Sequence, residues 1–144
     1  MTSFSFTVPG EPQGKARART VRNNGITRTF TPETTQNYEA LVKLTCQQAK
    51  PETWGVPEGE IGLNITAYFA PPKSVNAKKR AAMLNGSARP TKKPDWDNMG
   101  KVIGDALNGI AYHDDSQVVC ALVMKQYAET PGVHVTVSKY EKEN

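Results

Sequence analysis

The sequence predicts an α+β (mixed α/β) fold in which about three helices pack with a small mixed β-sheet. Three features indicate this class: apolar and polar residues alternate in several stretches, apolar residues recur at helical spacing in others, and the two kinds of stretch intermix along the chain. A length of 144 residues is typical of one domain with its own core. We therefore expect a single domain over residues 1–144.

The chain is predicted to begin with a strand and a hairpin. Ser3 to Val8 alternates apolar with polar side chains, which is typical of a half-buried strand. Arg17 to Arg22 and Ile26 to Phe30 flank the turn sequence Asn23-Asn24-Gly25. Such a turn between two short runs favours a β-hairpin, and this hairpin would be basic.

A helix and a strand are predicted next. Thr31-Pro32-Glu33 combines an N-cap residue, a proline at the first helical position and an acid in the first turn. We expect this helix to stop before Pro51, and we interpret Trp54 in the following loop as a packing residue. Glu60 to Ala70 alternates again and predicts a strand, which Pro71-Pro72 ends.

Two further helices are predicted in the second half of the chain. Ser74 or Asn76 is placed to cap a short helix that runs through Leu84. A second helix begins at Asp97, because at roughly 100° per residue its apolar and polar residues fall on opposite arcs. Gly109 is a plausible cap at the end of this amphipathic helix.

The remaining elements are two predicted strands. Val118 to Met124 is apolar on both faces, which is typical of a central strand covered on both sides. The last strand alternates around Val133, Val135 and Val137. Together these elements give the predicted order of strand, hairpin, helix, strand, two helices and a final hairpin of two strands.

Several classes of protein are excluded by the sequence. No apolar run approaches the length of a membrane span, and the N-terminus lacks the charged and apolar regions of a signal peptide. Cys46 and Cys120 form no C-x-x-C motif, so we expect buried free thiols in a reducing cytoplasm. His113 and His134 are isolated from other metal-ligating residues. The sequence therefore predicts a cytoplasmic protein without a zinc or disulfide framework.

The net charge of +4 is distributed unevenly. Two blocks of the chain carry basic residues and no acid. They comprise Lys15, Arg17, Arg19, Arg22 and Arg28 in the first block, and Lys73, Lys78, Lys79, Arg80, Arg89, Lys92 and Lys93 in the second. A solvated basic surface is one interpretation of these blocks. Because the second block leads directly into a group of acids, a polyanion that binds here and is acted on through a metal fits better.

Asp95 and Asp97, followed by Asp114 and Asp115 about one helix later, form the acidic part of the sequence. Clustered carboxylates repel one another unless a cation lies between them, and hard oxygen ligands suit Mg²⁺ or Mn²⁺. A purely structural interpretation makes Asp97 a helix N-cap, Asp95 a solvated acid and the later pair a turn. An EF-hand loop is excluded, because Met99 would occupy one of its ligand positions.

The residues around these acids resemble the signature of the RusA family of Holliday junction resolvases. The resemblance is carried by Lys93-Pro94-Asp95-Trp96-Asp97-Asn98-Met99-x-Lys101, by Asp105-Ala106-Leu107-Asn108-Gly109 and by Asp114-Asp115-Ser116-Gln117-Val118. Tyr68-Phe69-x-Pro71-Pro72-Lys73-Ser74 and Gly10-x-Pro12-x-Gly14-Lys15-x-Arg17-x-Arg19 are similar to the phage and prophage branch. Trp96 and Met99 depart from the usual pattern without removing a metal ligand.

The resemblance implies a Mg²⁺-dependent endonuclease, with Mn²⁺ as a substitute, that acts as a homodimer on branched DNA such as the four-way junction. Asp95, Asp97 and Asp115 would be the catalytic, metal-binding acids, with Asp114 as an auxiliary ligand. Lys101 would be the catalytic lysine. We expect the acids to meet within one subunit, and the alternative is that they meet across the dimer interface. The enzyme would be encoded by a phage or prophage.

Residues of the basic blocks are the expected DNA contacts. They are Lys15, Arg17, Arg19, Arg22, Lys73, Lys78, Lys79, Arg80, Lys92 and Lys93. Three other functions stay open: a non-catalytic DNA-binding module, a metal-dependent phosphoesterase for a small substrate, and a nuclease for other branched DNA. The two long basic blocks would be superfluous in the phosphoesterase.

Overall fold

The computed structural model describes residues 2–140, and its elements match the predicted order. The strands and helices are β1 (Thr2–Pro9), β2 (Arg19–Asn23), β3 (Ile26–Phe30), α1 (Glu33–Ala49), β4 (Ile61–Phe69), α2 (Ala77–Leu84), α3 (Trp96–Ala106), β5 (Val118–Tyr127) and β6 (Gly132–Lys139). The predicted α+β class with a mixed sheet is confirmed.

The main sheet has four strands in the order β1-β6-β4-β5. β6 pairs antiparallel with both β1 and β4, whereas β4 and β5 are parallel. The prediction that the last two strands form a hairpin is wrong, because β4 lies between β5 and β6 in the sheet. Two parallel neighbours require a long crossover, and the segment that contains α2 and α3 supplies it. This crossover brings α3 to the sheet beside β5, which it contacts.

One face of the sheet forms the core. Alternate residues of β1, β6 and β4 are buried on that face, where Phe6 lies opposite Val135 and Val135 lies opposite Ile65. α1 contacts β1 and α3, so the two helices cover this face side by side. The opposite face is polar and carries a hydrogen bond between Ser5 and Thr136. Alternation along each strand therefore decides which face the helices cover.

β5 lies at the edge of the sheet, so the prediction of a central strand is wrong. Among residues 2–140 its only strand partner is β4, and Val119 and Leu122 are 59% and 49% exposed. Apolar residues on both faces indicate that both faces are meant to be covered. In the described chain α3 and α2 contact β5 besides β4, but its exposed side chains stay uncovered.

The prediction of two buried thiols is half right. Cys46 on α1 is buried and Cys120 on β5 is exposed. Burial raises the pKa of the Cys46 thiol to about 11, whereas the positive charge of Lys50 acts in the opposite direction. Because the thiolate is the reactive form, we expect Ellman's reagent to modify Cys120 rapidly in the native monomer, where the edge of β5 is uncovered, and Cys46 only after unfolding. Rapid modification of both thiols before unfolding would contradict this burial.

Three local predictions are refined at helix ends. α3 begins at Trp96 with Asp95 as its N-cap residue, not at Asp97, and the Asp95 side chain makes no capping hydrogen bond. α2 has the expected cap, because the Asn76 side chain accepts a hydrogen bond from the Lys79 amide. Trp54 is buried, which confirms its packing role.

None of the helices in the described part of the chain is long and apolar enough to cross a bilayer.

Candidate active site

A cleft of about 320 Å³ lies between α3 and the core face of β4 and β5. Asp97, Lys101 and Asp115 line its rim, and its floor is apolar, formed by Leu63, Ile65, Val118, Ala121 and Val123. The structure thus brings together two predicted metal ligands and the predicted catalytic lysine. The third predicted ligand, Asp95, is absent from this lining.

Two glycines of α3 line the cleft. A Cβ at Gly100 would meet Val123 Cγ2 at 3.6 Å, and one at Gly104 would meet Tyr112 Oη at 3.8 Å. Neither glycine packs against another helix. Because each weakens a helix interior by about 1 kcal/mol relative to alanine, their place in the wall of the cleft is the best explanation for them.

The loop after α3 returns along the helix and carries Asp115 to the cleft. Two buried hydrogen bonds hold this return: the Tyr112 hydroxyl donates to the Gly104 carbonyl at 2.7 Å, and the Trp54 indole donates to the Ala111 carbonyl at 2.9 Å. Burial raises the pKa of Tyr112 far above its usual value, and nearby carboxylates, Asp115 first among them, raise it further. Tyr112 therefore stays a neutral donor.

A capping box fixes the turn that presents Asp115. Asp114 is the N-cap of a short 3₁₀ turn, Asp115–Gln117, and its carboxylate accepts a hydrogen bond from the Ser116 amide. Hydrogen bonds from Ser116 lower the pKa of Asp114. The structural interpretation of a turn therefore holds for Asp114. The Asp114 carboxylate, which the family resemblance implies to be an auxiliary metal ligand, caps this turn in the structure.

Gln117 belongs to the motif that carries the family resemblance, but the sequence analysis assigned it no role. Its Oε1 accepts from the amides of His113 and Asp114, and its Nε2 donates to the carbonyls of Pro57 and Gly59. Four bonds from one side chain join the acidic turn to the loop before β4. The spacing Asp114-x-x-Gln117 is that of a capping box, so the signal was present in the sequence.

We expect Gln117→Ala to lower the free energy of unfolding by about 1–2 kcal/mol, because several partly solvated hydrogen bonds are lost together. The nuclease activity that the family resemblance implies should fall as well, since the turn that carries Asp115 loses its tether. Urea denaturation and a time course of DNA cleavage measure the two effects. Gln47→Ala, at an exposed position of α1, is the matched control. Equal stability and activity of the two variants would contradict a tethering role.

Asp95 lies on the other side of the start of α3, in a second cleft. That cleft of about 420 Å³ is lined by Asp95, Lys93 and Asn98 together with the loop at Gly14 and Lys15. The loop is bound tightly to the helix: the Lys15 amide donates to the Asn98 carbonyl at 2.9 Å, and a Cβ at Gly14 would come within 3.0 Å of Asn98 Cβ. A side chain at position 14 would therefore crowd Asn98, and glycine avoids this contact.

The three predicted metal ligands do not form one cluster within a single chain. Among residues 2–140, no three His, Cys, Asp or Glu side chains are close enough to hold a metal ion together. Asp97 and Asp115 line the cleft between α3 and the sheet, whereas Asp95 lines the second cleft, beside Gly14 and Lys15. No ion pair within the described residues involves any of the three carboxylates. All three are exposed.

Asp105 connects the two lysines nearest to these clefts. Its Oδ2 lies 3.4 Å from Lys101 Nζ and 3.4 Å from Lys15 Nζ, and Lys15 also pairs with Glu39. Burial acts to lower the pKa of Lys15, but its two acidic partners outweigh burial and raise it. Lys15 is therefore held by carboxylates in this structure, whereas the Lys101 side chain is 61% exposed.

The other predicted DNA contacts are exposed and lie in three places. Arg17, Arg19 and Arg22 lie before and on β2, Lys73, Lys78, Lys79 and Arg80 lie before and on α2, and Lys92 and Lys93 precede α3. Lys125 of β5, which the sequence analysis did not single out, fixes the last of these segments by donating to the carbonyls of Lys92 and Pro94. The basic segment is thus held beside the acids.

Comparison with known proteins agrees with these observations. The family model "Endodeoxyribonuclease RusA" matches residues 9–138. The chain belongs to the RusA family. A RusA endodeoxyribonuclease is a hydrolase that acts on DNA, so membership points to that class of activity and, more narrowly, to Holliday junction resolvases.

A relative covers almost the same length. The uncharacterized protein YqaN of Bacillus subtilis (strain 168) is 39% identical over 139 residues, which are 95% of this chain and 96% of that protein. The RusA resemblance inferred from the acidic motif is therefore confirmed. It extends over both basic blocks as well as the acids.

Proposed function

We propose that this protein is a divalent-metal-dependent, structure-selective endonuclease that resolves Holliday junctions by paired phosphodiester hydrolysis. The observation that carries the proposal is the cleft that Asp97, Asp115 and Lys101 line together in a chain of the RusA family. Neither carboxylate is neutralised by an ion pair among residues 2–140. Two carboxylates and a lysine around one cleft provide the groups that metal-assisted hydrolysis of a phosphodiester uses.

The donor set fits a hard divalent cation. Mg²⁺, with Mn²⁺ as a substitute, prefers carboxylate oxygens and retains several water ligands, so a site with few protein ligands suits it. Asp97 and Asp115 would hold the ion, and Asp95 is the third candidate. When bound, the ion supplies Lewis-acid activation of water and charge neutralisation at the scissile phosphate.

Lys101 is the residue whose role follows most directly from its position. It lies one helical turn from Asp97 on the same face of α3, and its ammonium group is largely exposed. A fixed positive charge in a partly apolar cleft stabilises the negative charge that develops on phosphate oxygens during hydrolysis. Asp105, 3.4 Å from Lys101 Nζ, would orient the ammonium group.

The exposed basic residues would bind the arms of the junction. Those on β2 and α2 and before α3 contact phosphates in this proposal, which makes affinity fall steeply as salt concentration rises. Lys15 is the exception among the predicted contacts, because Glu39 and Asp105 hold its ammonium group. We assign it to the support of the site and not to DNA. The enzyme would act in the cytoplasm of a bacterial host and be encoded by a phage or prophage.

A homodimer is part of the proposal. A four-way junction has near two-fold symmetry and needs two cuts, so a two-fold dimer with two sites matches it. The free edge of β5, with exposed Val119 and Leu122, is the best candidate interface, since an uncovered apolar edge strand is a template for pairing. Such pairing also leaves open that a carboxylate of one subunit completes the metal site of the other.

We expect Leu122→Asp to shift the protein towards the monomer and to reduce paired cutting more than single nicks. A buried charge at the interface carries a large desolvation cost, which opposes pairing. Sedimentation velocity measures the mass, and a cruciform plasmid separates paired from single cuts. Leu44→Asp is the matched control, since Leu44 is equally exposed on α1. A dimer that is unaffected by Leu122→Asp would rule out this edge as the interface.

The proposed reaction is tested with a synthetic four-way junction, a Y-fork and a linear duplex, each with Mg²⁺ or with EDTA. Paired symmetric nicks in the junction, with 5′-phosphate and 3′-hydroxyl ends and only with Mg²⁺, are expected. Cutting of the Y-fork in preference to the junction would favour a nuclease for other branched DNA. Binding without cutting under all conditions would favour a non-catalytic DNA-binding module.

A further inference from the structure

The hairpin of β2 and β3 has two chemically different faces. Arg19 pairs with Phe30, Val21 with Arg28 and Asn23 with Ile26, so these six side chains share one face, and Thr20, Arg22, Thr27 and Thr29 share the other. Asn24 and Gly25 form the turn with positive φ angles of 51° and 78°. The first face, named here the apolar face, combines three apolar side chains with two arginines.

The apolar face is not covered by the rest of the described chain. Val21, Ile26 and Phe30 are 49%, 61% and 44% exposed, and every residue of both strands is exposed. β2 and β3 form a separate two-stranded sheet, and an isolated two-stranded hairpin is only marginally stable in water. Three large apolar side chains on such an arm gain most from burial against a surface outside the chain.

Charge identifies that surface. The hairpin carries Arg19, Arg22 and Arg28 and no acid, so the hairpin of a second copy would be repelled, whereas a polyanion is attracted. Phosphates satisfy the arginines but not the apolar side chains. The large apolar surfaces of DNA are the faces of its bases, which are covered in a continuous stack and become accessible where stacking is interrupted, as at a branch point.

We propose that the apolar face packs against unstacked bases at the branch point of DNA, with Arg19 and Arg28 on the flanking phosphates. Proteins commonly open a step of the duplex by inserting apolar side chains between its bases. A two-stranded β-ribbon is narrow enough to fit into the major groove of DNA. This placement of the hairpin rests on the proposed nuclease function and adds the part of the substrate that the arm recognises.

The end of the hairpin nearest the body of the protein is attached to the catalytic region. Nucleobases that the hairpin unstacks would therefore lie close to the acids. Only residues 16–18 separate β2 from Lys15, whose amide is hydrogen-bonded to Asn98 on α3. Lys15 Nζ pairs with Glu39 and Asp105, and the Ala16 amide donates to the Thr35 hydroxyl. These contacts attach the arm to α1 and α3 immediately before it leaves the body of the protein.

Binding to a four-way junction that carries 2-aminopurine beside the branch point tests the proposal. The fluorescence of this base rises when it unstacks. All measurements use Asp115→Asn protein in EDTA, so that no DNA is cut. The parent protein should raise the fluorescence, and Ile26→Ser with Phe30→Ser should abolish most of the rise. Base–aromatic stacking accounts for about 5- to 150-fold in affinity per contact, and loss of Phe30 should weaken binding within that range.

Two comparisons separate the apolar contact from charge. Arg28→Ala should lower the slope of log Kd against log salt by about one unit, whereas Ile26→Ser should leave the slope unchanged. Thr27→Ser and Thr29→Ser, on the opposite face, are the matched controls. Because both strands are exposed, unchanged melting temperatures are expected for all variants, and a junction-bound parent that shows no fluorescence rise overturns the proposal.

The remaining outcomes also decide the matter. If Ile26→Ser and Phe30→Ser alter the sedimentation mass but not the fluorescence rise, the apolar face contacts a second copy and not DNA. If the fluorescence responds as expected but the wild-type enzyme cuts no branched DNA with Mg²⁺, the proposed nuclease function fails while base recognition by the hairpin stands. The two failures are therefore distinguishable.

Discussion

Replacing Asp97 or Asp115 by asparagine is expected to reduce junction cleavage by more than about 100-fold, a larger loss than the 10- to 100-fold typical of residues that only orient metal ligands. Asparagine keeps the size of the side chain but removes the negative charge that a cation requires. Binding should be retained or become tighter, because repulsion between the acids and the phosphates falls. Single-turnover cleavage with Mg²⁺ and gel shift in EDTA measure the two quantities.

Glu129→Gln is the control for these substitutions. Glu129 is exposed in the turn between β5 and β6, and its substitution changes the net charge by the same amount. Cleavage by this variant should match the wild type. Near-normal cleavage by Asp97→Asn and Asp115→Asn would remove the catalytic role from the cleft, and equal losses in all three variants would indicate an effect of net charge alone.

The largest effect on stability is expected from Trp54→Ala, at about 3–5 kcal/mol of unfolding free energy. The indole is 2% exposed and meets Phe4 edge to face with 4.7 Å between ring centroids. Its Nε1 donates to the Ala111 carbonyl in the loop that leads to Asp115. The substitution therefore removes both core packing and a support of the active-site loop.

Trp54→Phe separates these two contributions. Phenylalanine keeps most of the apolar contact but leaves the buried Ala111 carbonyl without its donor, which costs about 1–3 kcal/mol. Urea denaturation of the two variants and the wild type gives both differences. A loss of less than about 3 kcal/mol for Trp54→Ala would mean that Trp54 does not stabilise both the core and the loop.

Local patterns predicted most elements because each segment carries its own signal. α3 is amphipathic, and its buried Val102 and Ile103 lie on the arc predicted to be apolar. The hairpin followed from its Asn-Gly turn, and β1, β4 and β6 followed from alternation. In each case the period of the pattern is set by the geometry of the element itself and requires no knowledge of its neighbours.

The order of strands in the sheet did not follow from such patterns. β5 is as apolar as a central strand, yet it lies at the edge. The pattern of apolar residues shows which faces of a strand are to be buried. It does not show whether another strand, a helix or a second chain buries them. The exposed Leu122 and Cys120 therefore mark a surface whose partner lies outside the described chain.

The acidic motif predicted which residues share the candidate site only in part. Asp95 and Asp97 are two positions apart, but the start of α3 directs them to different clefts. Asp115, far away in sequence, returns to the cleft of Asp97 because Gln117 and Tyr112 hold the loop. Side-chain direction at a helix start and the path of a loop depend on tertiary contacts, which spacing along the sequence does not contain.

Iron-mediated cleavage of the protein itself tests most directly whether the cleft between α3 and β5 is a divalent-cation site. Fe²⁺ with ascorbate and peroxide generates radicals that cut the backbone beside the bound ion, and mass spectrometry locates the cuts. Cuts near Asp97 and Asp115 that Mg²⁺ suppresses, and that disappear in the Asp97→Asn, Asp115→Asn double variant, are expected. Cuts elsewhere, or cuts that persist unchanged in the double variant, would contradict a metal site in this cleft.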